Sequence, residues 1–166
     1  MSRLDAWSPQ ILSVLRVIIA LLFMEHGLMK LFHFPAPQPG VPDPLPLILL
    51  VGAWLELVGG ALIALGLLTR PAAFILSGEM AVAYFMFHMP RSFWPSVNQG
   101  EDAILFCFIF FYLVFVGAGP WSLDVAIARR RSAWGRSPRF ARPLRAQWDG
   151  EFGWTIRHSK MPREQR

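Results

Sequence analysis

Leu47-Ile-Leu-Leu-Val-Gly52-Ala-Trp-Leu-Glu56-Leu-Val-Gly59-Gly60-Ala-Leu-Ile-Ala-Leu65-Gly-Leu-Leu68 is an unbroken apolar run with one ionisable side chain. It is too long for a strand and shows no period-two alternation, so it reads as a helix. At 1.5 Å per residue it covers the ~30 Å hydrocarbon layer of a bilayer. A carboxyl at such a depth needs a reason. Gly52, Gly59 and Gly60 stand at −4, +3 and +4 from Glu56, which on a regular helix puts them on one face. Small residues let a second helix approach closely, so Glu56 is expected to face protein and not lipid.

Three further runs have the same character: 11–32, 71–89 and 103–118. The expected fold is all-α, an integral membrane four-helix bundle with a basic C-terminal tail. Composition agrees. Apolar residues make up 54% of the 166-residue chain and charged residues 16%, against about 25% charged in soluble domains. The run at 11–32 passes through Glu25-His26-Gly27 with no small-residue cleavage site, so it reads as a retained span and not a signal peptide. Thr69-Arg70-Pro71 is expected to be a tight turn with Pro71 opening the next helix. Residues 33–46 carry six prolines and are expected to form a stiff, polyproline-like loop. Residues 90–100 form a second loop, and Gly117-Ala-Gly-Pro120 ends the fourth helix.

The net charge of +5 divides unevenly. Residues 129–166 hold eleven Lys/Arg against three acids (+8), and residues 1–128 hold five against eight (−3). This gives a transmembrane domain over 1–128 and a tail over 129–166. Arg3, Arg16, Arg70 and Arg129 to Arg131 gather on one face of the membrane, with only Lys30 and Arg91 on the other. By the positive-inside rule both termini are cytoplasmic. Arg16, little more than a turn inside, is expected to snorkel to that surface. The tail interleaves Arg with Trp134, Phe140, Trp148, Phe152 and Trp154. It is expected to be partly disordered and to lie on anionic lipid headgroups; nucleic acid is not an expected partner.

Depths along the helices place Glu25 and His26 at roughly 21–22 Å, Glu56 at roughly 20 Å and Glu79 at about 12 Å from the cytoplasmic ends. Lys30, His88, Glu101 and Asp102 fall at roughly 25–28 Å. Four helices could thus build a polar cluster opening outward, with Ala72, Ile75, Ala83 and Met86 packing inward on the face of Glu79. Glu25, His26 and Glu56 are the candidates for proton exchange and ligand contact, and Lys30, Glu79, His88 and Glu101 for substrate binding. Against this stands the plain alternative of carboxyls hydrogen-bonded between helices and satisfied interfacial histidines. No Glu-x-x-His pair for a di-iron site is present, nor any P-loop, zinc-helix or serine-nucleophile motif. The cluster by itself leaves the cofactor unknown, and haem and metal are not expected. Cys107, alone in an apolar run, reads as an inert small hydrophobe and offers no disulfide.

Three segments resemble the DoxX family of small four-helix bacterial membrane proteins. They are Arg16 with Phe23-Met-Glu-His-Gly27-Leu-Met-Lys30, then Gly52-x-x-x-Glu56-x-x-Gly59-Gly60-x-Leu62-x-x-x-Gly66-Leu-x-Thr69-Arg70, and Gly117-Ala-Gly-Pro-Trp121-Ser-Leu-Asp124. The match covers about Leu15 to Asp124. The resemblance implies a multi-pass protein of the bacterial cytoplasmic (inner) membrane. The family is similar to the membrane subunit of thiosulfate:quinone oxidoreductase, which implies a subunit of a membrane oxidoreductase linked to quinone or reduced sulfur, with a membrane or redox protein partner. The alternatives are a non-catalytic anchor or assembly factor, and a small proton or solute transporter. Whether the chain is itself an enzyme stays open at this point.

Overall fold

The computed structural model describes residues 4–135, 146–149 and 153–156, and side-chain environments as far as residue 132. It divides into two compact units, 1–128 and 129–166. Within 4–135 all regular structure is helical. Helix α1 (Ser8–Phe32) has a proline in its first turn, where a missing N–H costs nothing, and closes on His33 in the left-handed region. The decisive apolar run forms α2 (Leu47–Trp54), a π-helical turn (Leu55–Gly59) and α3 (Gly60–Leu65), one rod ending at Gly66 with φ +65°. Helix α4 (Thr69–Ala83) continues into a second π turn (Tyr84–His88), and α5 (Pro95–Asn98) is a single turn in the loop that follows. Helix α6 (Glu101–Val116) stops at Gly117, φ +80°, and α7 (Leu123–Gly135) completes the order. Among the described residues two helices, α1 and the Leu47–Leu65 rod, are long and apolar enough to cross a membrane.

Helix α1 lies along the whole 47–65 rod, and α4 packs against α6. Phe23 joins the two pairs, with its ring 5.1 Å from that of Phe106 and 4.8 Å from that of Phe110. Ala20, Ile63, Ala73, Leu76 and Leu113 close round them. Ser77 Oγ donates to the Cys107 carbonyl at 2.9 Å, a polar rivet between α4 and α6. In the second unit two short strands, β1 (Ala146–Asp149) and β2 (Gly153–Ile156), pair antiparallel with Trp148 opposite Trp154. The expectation of a partly disordered tail otherwise falls on residues outside those described.

Several local readings are corrected. Helix α4 starts at Thr69, so Pro71 is its third residue and not its first; its missing N–H still lies among those with no intrahelical acceptor. The 90–100 loop contains α5, and the 33–46 loop includes a turn near Gly40 at φ +76°. The buried face of α4 is Ala72, Ala73, Leu76, Ser77 and Met80, turned toward α6, while Ile75 and Met86 are half-exposed. The glycines beside Glu56 do not form one stripe. A Cβ on Gly59 would strike Leu76 of α4, and one on Gly60 would strike Met24 of α1. Neighbouring residues differ by about 100° around a helix, so Gly60 serves α1 while Gly59, like Gly52, faces α4.

Arg16 does not snorkel. It is 1% exposed, and its guanidinium donates to the carbonyls of Ile63, Ala64 (2.7 Å) and Trp121 (2.6 Å). Those of Ile63 and Ala64 belong to the last turn of α3, where carbonyls run out of i+4 partners; the Ile63 oxygen also accepts the Gly66 N–H at 3.0 Å. A fixed planar fork of donors satisfies them and ties the segment after α6 to the same point. Asp124 completes the junction, its carboxylate accepting the N–H groups of Leu68 (2.8 Å) and Thr69 (3.0 Å) at the start of α4.

Candidate functional site

At the end opposite this junction, the loop end, α1 and the rod meet at Gly27. A Cβ there would lie 2.8 Å from the Ala53 carbonyl oxygen and 2.9 Å from the Leu57 amide nitrogen. Only glycine permits that approach, which brings Lys30, one turn on, over Glu56. Lys30 Nζ lies 2.5 Å from Glu56 Oε1, with both side chains almost entirely removed from solvent. Depth counting set the two several ångströms apart; the long lysine stem spans the difference.

Beside this pair opens a cavity of about 720 Å³, within the range of small-molecule sites. Helix α1 supplies Phe23, His26, Met29 and Lys30; the rod supplies Ile48, Val51, Gly52, Leu55 and Glu56; α4 and its π turn supply Ile75, Glu79, Val82, Ala83, Phe87 and His88. Ala103 and Phe106 of α6 form the back, and Gln38 to Val41, Arg91, Gln99 and Asp102 form the rim at the loop end. The walls are apolar and the polar groups few, the pattern of a site that holds an amphipathic molecule in one orientation.

The expected residues divide. His26, Lys30, Glu56, Glu79 and His88 all line the cavity, whereas Glu25 and Glu101 are exposed and do not. Glu25 precedes His26 by one residue, hence about 100° round the helix, which turns it away. Glu101 lies in the first turn of α6, whose next residue, Asp102, takes the rim position instead. Glu79 is nearer the loop end than its depth count implied. The helix begins two residues early, and Glu79 Oε1 would lie 3.2 Å from a Cβ on Gly52, one turn beyond Glu56. Glu79 also feels the charges of both Glu56 and Lys30. Among the described residues, neither Glu56 Oε2, Glu79 Oε2 nor Gln38 Oε1 has a hydrogen-bond partner, although all three are buried. A buried oxygen left so is costly, and a proton or a ligand donor would relieve it.

Both histidines are oriented by carbonyls. His26 Nδ1 is 2.9 Å from the Leu22 oxygen, and its ring stands edge-on to Phe106. His88 Nδ1 is 3.1 Å from the Asn98 oxygen. A carbonyl only accepts, so Nδ1 carries hydrogen in each and the neutral ring leaves Nε2 as an acceptor. Asn98 is itself buried, donating to the Ser92 carbonyl and accepting the Gly100 N–H. Among the described residues no three His, Cys, Asp or Glu side chains converge as a metal site. Sequence reasoning missed Gln38 and Arg91, because a proline-rich loop gives no period from which its nearness to a helix could be inferred.

The family model that matches the chain is DoxX, over residues 11–89, from α1 to the end of the second π turn. An uncharacterised protein of Haemophilus influenzae is 44% identical over 131 residues, covering 75% of this chain and 96% of its own length. An uncharacterised membrane protein of Mycobacterium tuberculosis is 28% identical over 148 residues, or 80% of this chain and 90% of the relative. No solved structure matches significantly. On the family model and the extent of these likenesses, the chain belongs to the DoxX family of membrane proteins.

Proposed function

We propose that the protein is a four-helix, multi-pass component of the bacterial cytoplasmic membrane that binds a quinone or quinol in this cavity and serves as a subunit of a membrane oxidoreductase system. In this reading α1, the 47–65 rod, α4 and α6 all span the bilayer, both termini are cytoplasmic, and the cavity opens outward. The arginine-rich turn and tail support that orientation. The tail, residues 129–166, lies on anionic headgroups.

One observation carries the reading: an apolar cavity of about 720 Å³ contains a Lys30–Glu56 ion pair with Glu79, His26 and His88 beside it. A quinol ring needs apolar walls and groups that exchange protons. On oxidation it loses two electrons and two protons. The electrons leave to a redox partner protein, since none of these side chains carries them, and His26 and Glu79 receive the protons. Lys30 holds Glu56 in place and would set positive charge beside the bound ring. Glu25 and Glu101 have no part in this scheme.

The Lys30–Glu56 contact also favours a second reading. A buried interhelical strut is equally suited to a non-catalytic anchor or assembly factor. The quinone content of gently solubilised protein, per mole of chain, separates the two. Near-stoichiometric quinone that is lost in Glu79→Gln or His26→Ala, with melting unchanged, supports the redox subunit. Protein that keeps its lipids and fold yet holds no quinone supports the anchor.

A further inference from the structure

The cavity has an opening that its polar groups do not explain. Helix α4 packs on α3 and on the π turn of the rod, but scarcely on α2. The two helices therefore diverge toward the loop end, and Glu79 bridges the gap only at Gly52. Ile48 and Val51 stand on the α2 side, with Ile75 and Val82 on the α4 side. These four are 47–53% exposed and all line the cavity. Phe74 and Phe85 of the same helix are more exposed but line no part of it. The gap is thus a sideways extension of the cavity with walls of aliphatic side chains. At the loop end, Gln38 to Val41 and Arg91 line the rim.

We infer that the gap between α2 and α4 is a lateral doorway to the bilayer, and that the ligand is a membrane-resident amphiphile whose hydrocarbon chain lies between Val51 and Val82 while its polar ring reaches Glu79 and Lys30. The inference rests on the quinone reading and narrows it to chain-bearing quinones. The argument is one of solvent. In a membrane these four side chains face acyl chains, so a hydrocarbon tail passes between them without meeting a polar barrier, whereas a hydrated anion would shed its water there. The occupant that matches both ends is apolar along the doorway and polar at the floor.

The test uses the full-length protein in nanodiscs and two probes: a benzoquinone ring with no side chain, and the same ring with a decyl chain. Val51→Trp and Val82→Trp, on opposite walls, narrow the doorway; Phe74→Trp, outside the cavity, is the control. Each of the first two should weaken binding of the decyl ring about tenfold or more, leave the bare ring within about twofold because it also has the loop-end rim, and leave melting unchanged. Phe74→Trp should change neither. If the parent protein binds both probes but neither wall variant separates them, the doorway is wrong and the quinone reading stands. If the parent protein binds neither probe, both fall.

Discussion

Lys30 and Glu56 meet across α1 and the π turn at 2.5 Å, and the pair uses only one of the two carboxylate oxygens. A buried ion pair is strongly destabilised when one partner is removed, by about 3–5 kcal/mol, because the other is left charged and unpaired. Lys30→Met and Glu56→Leu should each lower the melting temperature in detergent. The double variant should regain most of the loss. A double variant as unstable as the sum of the singles would show that the two side chains act separately.

Gly27 and Gly78 make opposite predictions from one substitution. A Cβ at Gly27 meets two backbone atoms of the rod at under 3 Å, whereas at Gly78 it meets nothing within 4 Å among the described residues. Gly27→Ala must part α1 from the rod, at about 1–3 kcal/mol for forced overpacking. It should also weaken quinone binding by displacing Lys30. Gly78→Ala should stabilise by up to about 1 kcal/mol through helix propensity alone. Thermal melts of the two variants side by side check both signs.

Arg16→Lys should behave as a damaging change despite keeping the charge. Three carbonyls from two segments converge on a guanidinium, and an ammonium cannot reproduce the fork. Hydrogen bonds to charged groups contribute about 1.5–3 kcal/mol each, so losing even one should be visible in the melt. Limited proteolysis should then cut near Trp121 faster than in the parent protein.

Asp124 predicts an acid limb. Partial burial would raise its pKa, but the backbone N–H groups of Thr69 and Leu68, aided by the Arg16 charge, outweigh this and hold it below the usual aspartate value. A depressed carboxyl contributes its full stability above the unfolded pKa, about 3.9, and loses it as pH falls through the folded value. Asp124→Ala should therefore melt lower at pH 7, by about 1 kcal/mol as for other capping residues. The gap between variant and parent should close progressively below about pH 4. A gap that does not change with pH would contradict the assignment.

The helical membrane character was legible in the sequence because a bilayer demands long apolar runs, and length needs no tertiary knowledge. The importance of Glu56 was legible for the same reason: one carboxyl in such a run stands out. What escaped were the relations that depend on neighbours. Arg16 looked like a surface residue because one turn of helix separates it from the end of its own apolar run. The carbonyls that surround it come from residues 63, 64 and 121, which sequence distance conceals. Glu25 and His26 looked equivalent by depth, and only their angular separation decided which lines the cavity. Gln38 was invisible because proline-rich chain carries no periodic signal of what it lies over.

The π turn at Leu55–Gly59 has a bearing on how such a chain can change over generations. A π turn spends one residue more than the α-helix would on the same rise. Deleting a single residue inside it would restore regular winding with α2 and α3 left nearly in place, whereas deleting one in the α turns beside it would swing α2 by about 100° relative to α3. Gly52 would then leave Glu79, and Ile48 and Val51 would leave the doorway, although every remaining side chain kept its chemical kind. Apolar exchanges along this helix are cheap, but the loss of one residue outside the π turn is not. Among descendants of this chain, a one-residue loss from this helix should fall within Leu55–Gly59 before it falls in α2 or α3.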